Sequence, residues 1–316
     1  MKENPVNPLV SIIMNCLDGE QFLNRAIDSI FKQTFENWEI IFLDNGSKDN
    51  SRSIAESYGE RIKIFSLPVT VELGEARNKA LSYSNGELIA FLDVDDAWLE
   101  DKLEKQVNLF NNPNIGMVYC DTIVLEGNRS INLFDIMKPA SGQISCELLK
   151  SNFITTSSLT YRKKTLDKLS FVFRNNFLLL VDYDLSIRVA QGTFAAFVDE
   201  PLAIVYKHKN NASQTQKDRY FRESKVFLDY LNNDLNLNER CSKGIQSFLH
   251  RHNIYIAELE FESGNIRNAK KIIRKSANRS IQNLIMFFLL YIFPSYNFYR
   301  FIKNISRKFL GFIKKL

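Results

Sequence analysis

The amino-acid sequence predicts an α/β protein: a doubly wound mixed sheet followed by a C-terminal helical region. Three observations carry that expectation. The runs "LVSIIM" (9–14) and "WEIIFLD" (38–44) are apolar without alternation, the pattern of strands buried on both faces. Stretches of helical period separate such runs, which implies βαβ units. From about Asp218 onward the reading is nearly all helical.

The elements follow in order. After the first strand, Phe22, Leu23, Ala26, Ile27, Ile30 and Phe31 recur at helical spacing and mark one apolar face. The second strand runs into "DNGSKDNS" (44–51), rich in turn residues, before a short helix from near Ser51. A third strand reads "IKIFSL" (62–67), a third helix runs from about Glu75 to Tyr83, and a fourth strand is "ELIAFLD" (87–93). A helix is expected to start near Trp98, with Asp96 as its candidate cap. Beyond Pro113 the pattern is irregular and strand-rich, with a helix at "YDLSIRVAQ" (183–191). No Gly/Ser-rich or Pro-rich linker marks a boundary, so the split is set at residues 1–215 and 216–316.

Composition narrows the class. With 45% hydrophobic and 24% charged residues, 316 residues are enough to fold around a large core, which excludes wholesale disorder. A net charge of +5 is too mild to call for a nucleic-acid partner. Cys16, Cys120, Cys146 and Cys241 lie far apart without metal-ligand spacing, as expected of thiols in a reducing compartment. The opening "MKENPVNPLVSIIM" reads as a first strand and not as a secretory signal. The apolar run "LIMFFLLYIF" (284–293) is short of the roughly 20 residues a spanning helix needs. Together these predict a cytoplasmic protein.

Ligands of such sheets bind beyond the carboxyl ends of the strands. Three polar clusters fall there: "NCLDGE" after strand one, "DNGSKD" after strand two and "DVDD" (93–96) after strand four. Adjacent carboxylates at a buried strand end repel one another unless a cation relieves them. A divalent Mg²⁺ or Mn²⁺ bridging carboxylates to substrate phosphates would do so. Asp44 and Asn45 face the same crevice, where side-chain acceptors would read a nucleobase edge.

The segments "PLVSIIMNCLDGEQFLNRAIDSIFKQTFENWEIIFLDNGSKDNS", "LGEARNKAL" and "GELIAFLDVDDAWLEDKLEKQ" resemble the N-terminal half of a family 2 glycosyltransferase of GT-A fold. The resemblance is dense over residues 8–110 and thinner to about 215. It implies inverting transfer of a sugar, of hexosyl or N-acetylhexosaminyl type, from a nucleotide-sugar donor. By that resemblance Asn15, Cys16, Asp18, Asp44 and Asn45 hold the nucleobase and ribose, and Arg77 and Asn78 line the nucleotide pocket. Asp93 contacts the ribose or the metal, Asp95 coordinates Mn²⁺ or Mg²⁺ on the diphosphate, and His208 in "VYKHKNNASQ" completes the metal shell or touches the diphosphate. "LLLVDYDLSIR" (178–188) resembles the segment carrying the general base, which maps to Asp182; the same residue is alternatively a helix cap. Asp184 is expected to face inward and hold that loop.

Departures from the family pattern are local. Leu17 stands where an aromatic often stacks on the base, Asn45 replaces a second aspartate, and Val181 replaces the first acid before Asp182. A UDP-sugar is the expected donor, and a saccharide or lipid-linked molecule the acceptor. Two rivals stand beside this reading. A haloacid-dehalogenase-type phosphatase also uses Asp-x-Asp, but Ala97 stands where its threonine belongs after Asp93. A non-catalytic sugar-nucleotide or membrane-binding module is allowed by Val181 and the altered first loop. Finally, the tail mixes a short apolar helix, aromatics and Lys/Arg, with no acid from Lys303 to Leu316. That fits an interfacial helix on an anionic membrane surface, placing the protein peripherally on the inner face of the cell membrane.

Overall fold

A computed structural model describes residues 7–277. Nine strands form one mixed sheet: β1 (Val10–Cys16), β2 (Trp38–Asp44), β3 (Ile62–Ser66), β4 (Leu88–Phe91), β5 (Ala97–Trp98), β6 (Ile115–Glu126), β7 (Arg129–Asn132), β8 (Thr160–Arg162) and β9 (Phe194–Lys207). Their order across the sheet is β3-β2-β1-β4-β8-β6-β9-β5, with β7 paired to β6. The first four strands are parallel and doubly wound. β8 then enters antiparallel to both β4 and β6, making the sheet mixed as the sequence predicts.

The parallel half is the all-apolar half. Ile12, Met14, Ile40 and Phe42 are fully buried, so these strands have no solvent face on which polar alternation could be tolerated. Helix α1 (Glu20–Phe31) turns Leu23, Ala26, Ile27 and Ile30 onto the sheet. Phe22 and Phe31, which share the predicted face, lie at its margin. Phe31 packs edge-on against Trp38, and Phe22 stacks on His208 at 4.6 Å. Helices α2 (Ser51–Glu56) and α3 (Leu73–Ser82) complete the βαβ units.

Register brings the polar loops level. Cys16 of β1 is opposite Asp44 of β2, and the chain leaves β4 beside Ile13, so the clusters after all three strands share one edge. The expected helix at Trp98 is displaced. Ala97–Trp98 form β5 against β9, and helix α4 (Lys102–Leu109) begins four residues later. Asp96 therefore caps no helix; it accepts from the Ser157 hydroxyl at 2.5 Å.

The chain divides into two compact units after Glu223. In the second, a helix spanning Leu235–Glu262 and one spanning Ile266–Ala277 meet at Gly264, whose φ of 83° suits a residue without a side chain. Ala257, Phe261, Ala269 and Ile273 close the small core between them. No helix among the described residues is long and apolar enough to cross a membrane. The expected interfacial segment falls on residues 283–316, outside the described residues. Cys16 and Cys120 are buried free thiols, whereas Cys146 and Cys241 are not free, which corrects the expectation of four reduced cysteines.

Candidate active site

The three carboxylates of "DVDD" go to three different partners. Asp93 accepts from Arg77 Nη2 at 2.7 Å. Asp95 Oδ2 is 3.0 Å from His208 Nε2 and accepts from the Asn211 amide at 2.9 Å. Asp96, 5% exposed, lies against Ser157. Burial holds the Asp96 carboxyl well above its ordinary range, and the neighbouring Asp93 and Asp95 push the same way. Burial also raises Asp93, to about 6; Arg77 pulls it back, while Asp182 and Asp95 add to the rise.

Arg77 is the hub of the site. Its guanidinium is 3% exposed and donates through Nη2 to Asp93 and through Nη1 to Asp182 Oδ1 at 2.5 Å. Burial works against its charge, but the two carboxylates overcome that and raise its pKa above the ordinary arginine value. Its position follows from a close approach at the start of α3. A Cβ added at Gly74 would sit 1.9 Å from the Arg174 carbonyl oxygen, so only glycine lets α3 meet the 174–177 loop. The Gly74 N–H donates to the Phe177 carbonyl there. Asn78, one residue on, pins the same loop, exchanging hydrogen bonds with the Phe173 backbone and donating to Asn175.

Asp182 lies in the first turn of the helix Val181–Gly192. Its second oxygen accepts from Thr156 Oγ1 at 2.7 Å, on the 3₁₀ turn Thr156–Ser158. The approach to this helix is held by a buried carboxylate. Glu223 accepts from the backbone N–H groups of Leu178, Leu179 and Leu180 at 2.8–2.9 Å. Asp184 is fully buried between Arg174 and Arg188, so it orders the loop as the sequence predicts. Thr156, Glu223 and Asn211 escaped sequence reading. For Thr156 a signal existed in the hydroxyl run "TTSS" (155–158).

At the strand-one and strand-two ends the structure gathers the expected nucleotide-side residues. Asp18 adopts φ 52° and accepts from the Lys48 N–H, tying the two loops together. Asp44 accepts from the Ser47 N–H. The Asn45 amide pairs with both backbone groups of Val71, leaving one N–H and one lone pair for any other partner. Both polar atoms of the Asn15 side chain are buried without a hydrogen-bond partner. Cys16 is buried, and burial raises its thiol above the ordinary value.

The residues expected to hold metal separate into a pair and an outlier. Asp95 and His208 converge; Asp93 is committed to Arg77. Among the described residues no three His, Cys, Asp or Glu side chains form a full ligand set. The pair nevertheless fits a divalent cation on its hydrogen-bond logic. The Asn211 Oδ1 accepts from the His208 backbone N–H at 2.6 Å, which fixes its Nδ2 toward both Asp95 Oδ2 and His208 Nε2. Nε2 then serves one neighbour and opposes the other. As an acceptor from Asn211 it faces a carboxylate oxygen; as a donor to Asp95 it faces an N–H₂ group. His208 Nδ1 is buried without a partner as well. A cation taking the Nε2 lone pair and the Asp95 carboxylate removes the conflict. Arg25 steadies the loop from α1, donating to the Asp95 carbonyl at 2.6 Å and stacking on Tyr206 at 3.5 Å.

A doubly wound mixed sheet with its polar loops gathered at one edge is the architecture of a class: GT-A proteins. Comparison with known sequences gives the family. Residues 11–170 match the family described as "Glycosyl transferase family 2", and the chain belongs to it. It is 38% identical over 127 residues to the Escherichia coli UDP-Glc:alpha-D-GlcNAc-diphosphoundecaprenol beta-1,3-glucosyltransferase WfgD, covering 40% of this chain and 50% of that protein. The first curated relatives are matched over 38 to 50% of their length. The fold is similar to S. aureus TarS 1-349 in complex with UDP-GlcNAc, with TM-score 0.68, 18% identity, and 95% of this chain and 91% of that one covered. It is also similar to the Pyrobaculum calidifontis mannosyltransferase PcManGT in complex with GDP-Man and Mn²⁺, with TM-score 0.65, 15% identity, and coverage of 97% and 90%.

Proposed function

We propose that the protein is an inverting glycosyltransferase. It moves a sugar from a nucleoside diphosphate sugar, most simply a UDP-sugar, to a hydroxyl of a saccharide or lipid-linked acceptor. The observation that carries this reading is the Asp182–Arg77–Asp93 frame set beside the Asp95–His208 pair.

The chemistry needs one carboxylate base. The acceptor oxygen attacks the anomeric carbon, its proton passes to Asp182, and the bond from that carbon to the diphosphate oxygen breaks in the same displacement. A single attack from the face opposite the leaving group inverts the configuration. Arg77 and Thr156 hold the two oxygens of Asp182, so the base has a fixed orientation before any acceptor arrives. Asp95 and His208 would hold the metal, and a carboxylate–imidazole pair suits Mn²⁺ better than the oxygen-seeking Mg²⁺. Such an ion supplies neutralisation of the charge developing on the departing diphosphate. Asp18 and Asp44 close the nucleoside end of the crevice.

The lipid-linked substrate in the name of WfgD and the UDP-GlcNAc and GDP-Man complexes of the structural relatives agree with this donor and acceptor class. We place the protein in the cytoplasm, peripheral on the inner face of the membrane. The helix Ile266–Ala277 supports that: it has no acidic residue and exposes Arg267, Lys271 and Arg274. The experiment incubates the full chain with a panel of nucleotide sugars and Mn²⁺, with and without anionic vesicles, and measures nucleoside diphosphate release and co-sedimentation. Release is expected from one donor class, lost in Asp95→Asn and Asp182→Asn. Full activity in Asp95→Asn sinks the metal assignment, full activity in Asp182→Asn sinks the base, and failure to sediment with vesicles sinks the membrane placement.

A further inference from the structure

A buried acid remains outside the proposed mechanism. Glu223 lies in the helix Lys217–Asn233, within the same compact unit as Asp182, and is 3% exposed. One of its carboxylate oxygens accepts from the Leu178 N–H, the other from the N–H groups of Leu179 and Leu180, at 2.8–2.9 Å. Three successive backbone N–H groups turned to one point make a nest that suits an anion. Arg219, one turn earlier, donates to the same carboxylate and pairs with Glu72 at the start of α3. The carboxylate is thereby held from its own side as well.

The nest leads straight into the base. Leu180 is the N-cap of the helix Val181–Gly192, and Asp182 stands in the first turn of that helix. Arg77 and Thr156 grip the Asp182 carboxylate, which sets where its oxygens point but not where its backbone stands. The neighbouring residue supplies no acid: Val181 is apolar and 1% exposed where the family resemblance expects a carboxylate. We infer that Glu223 is a positioning residue for the reaction, holding the backbone of residues 178–180 so that Asp182 is presented to the acceptor hydroxyl. The inference rests on the reading of Asp182 as the base and deepens it.

The test removes the accepting oxygens in steps. Glu223→Gln keeps the shape of the side chain but turns one oxygen into an N–H₂ group, which opposes the backbone N–H it faces. Glu223→Met keeps the bulk and leaves only a weak acceptor. Nucleoside diphosphate release by the full chain is followed with Mn²⁺ present. The rate is expressed per nucleotide-binding site, counted by titration with UDP or GDP, so that misfolded protein does not enter it. For Glu223→Gln, kcat per site is expected to fall about tenfold with donor KM unchanged, inside the roughly hundredfold that a misplacement of about 1 Å costs. Glu223→Met is expected to be slower again. A merely structural role would lower the number of sites and leave kcat per site alone. Parent-like kcat per site in Glu223→Gln overturns the inference, as does a loss carried by donor KM, a methionine variant faster than the glutamine one, or the loss of all sites in Glu223→Gln. If Glu223→Met alone has no sites, Glu223→Gln decides. Asp182→Asn runs beside them. If it keeps full activity, or if the parent binds neither nucleotide, the functional reading fails and the inference falls with it. If Asp182→Asn is inactive while Glu223→Gln is not slowed, the inference alone fails.

Discussion

Lys102 sits where a lysine is expensive. Its side chain is fully buried beneath the sheet at the start of α4, its Nζ donating to Gln106 Oε1 at 2.9 Å and lying 4.0 Å from the centre of the Trp98 ring. Among the described residues no carboxylate pairs with it, and burial lowers its pKa from 10.5 to about 8. That drop corresponds to about 3 kcal/mol of charge-burial cost at neutral pH. Lys102→Met keeps an unbranched side chain, one atom shorter, and removes the charge. It forfeits the amine hydrogen bond, worth about 1 kcal/mol, while Gln106 Oε1 keeps its bond from Thr160. The variant is therefore expected to be more stable than the parent by about 2 kcal/mol at pH 7. The pH dependence fixes the cause. Between pH 8 and 10.5 the unfolded lysine holds its proton and the folded one does not, so the parent gains stability as pH rises through that window. The gap between parent and variant should accordingly be full below pH 8 and close toward 10.5. Urea unfolding followed by tryptophan fluorescence measures it, because both tryptophans, Trp38 and Trp98, lie in the first compact unit. A variant less stable at pH 7, or a gap flat with pH, refutes the reasoning.

Two further outcomes concern the site. Arg77→Met leaves Asp93 and Asp182 facing each other without their shared cation, and is expected to cost about 2–3 kcal/mol in the same unfolding assay, below the 3–5 of a fully buried pair because both carboxylates reach solvent; unchanged stability would show that the guanidinium is not holding them. Thr156→Val removes the hydroxyl from Asp182 and is expected to lower kcat for nucleoside diphosphate release about tenfold with donor KM unchanged, the worth of one charge-assisted hydrogen bond. Thr156→Ser should restore the rate, and a serine variant as slow as the valine one would mean that the methyl group matters and the hydroxyl does not.

How much of this was legible beforehand depends on what each residue answers to. The doubly wound half could be read because β1 and β2 are buried on both faces, and burial forbids polar residues there. Its crevice could be read for the same reason: with four parallel strands, the polar clusters after strands one, two and four must share an edge. The start of α4 was misplaced because "AW" after "DVDD" satisfies a helix pattern and a strand pattern equally, and only the partner strand β9, a hundred residues away, decides between them. The same distance hides the site's second layer. Arg77 reads as a helix residue near a nucleotide pocket; nothing in "LGEARNKAL" says that a close approach at Gly74 will aim it at Asp182, 105 residues on.

The repulsion that makes "DVDD" conspicuous is resolved residue by residue, by partners from distant parts of the chain. Asp93 takes the buried guanidinium of α3, Asp96 takes a hydroxyl from the 3₁₀ turn and is kept up in pKa by burial, and Asp95 takes an imidazole and an amide from the end of β9. Only the last of these arrangements leaves a hydrogen-bonding conflict, at His208 Nε2. Three adjacent acids had invited a single answer, one cation for the whole cluster. In the proposed reading that cation would belong to Asp95 and His208 alone, while Asp93 stays with Arg77, which also holds Asp182.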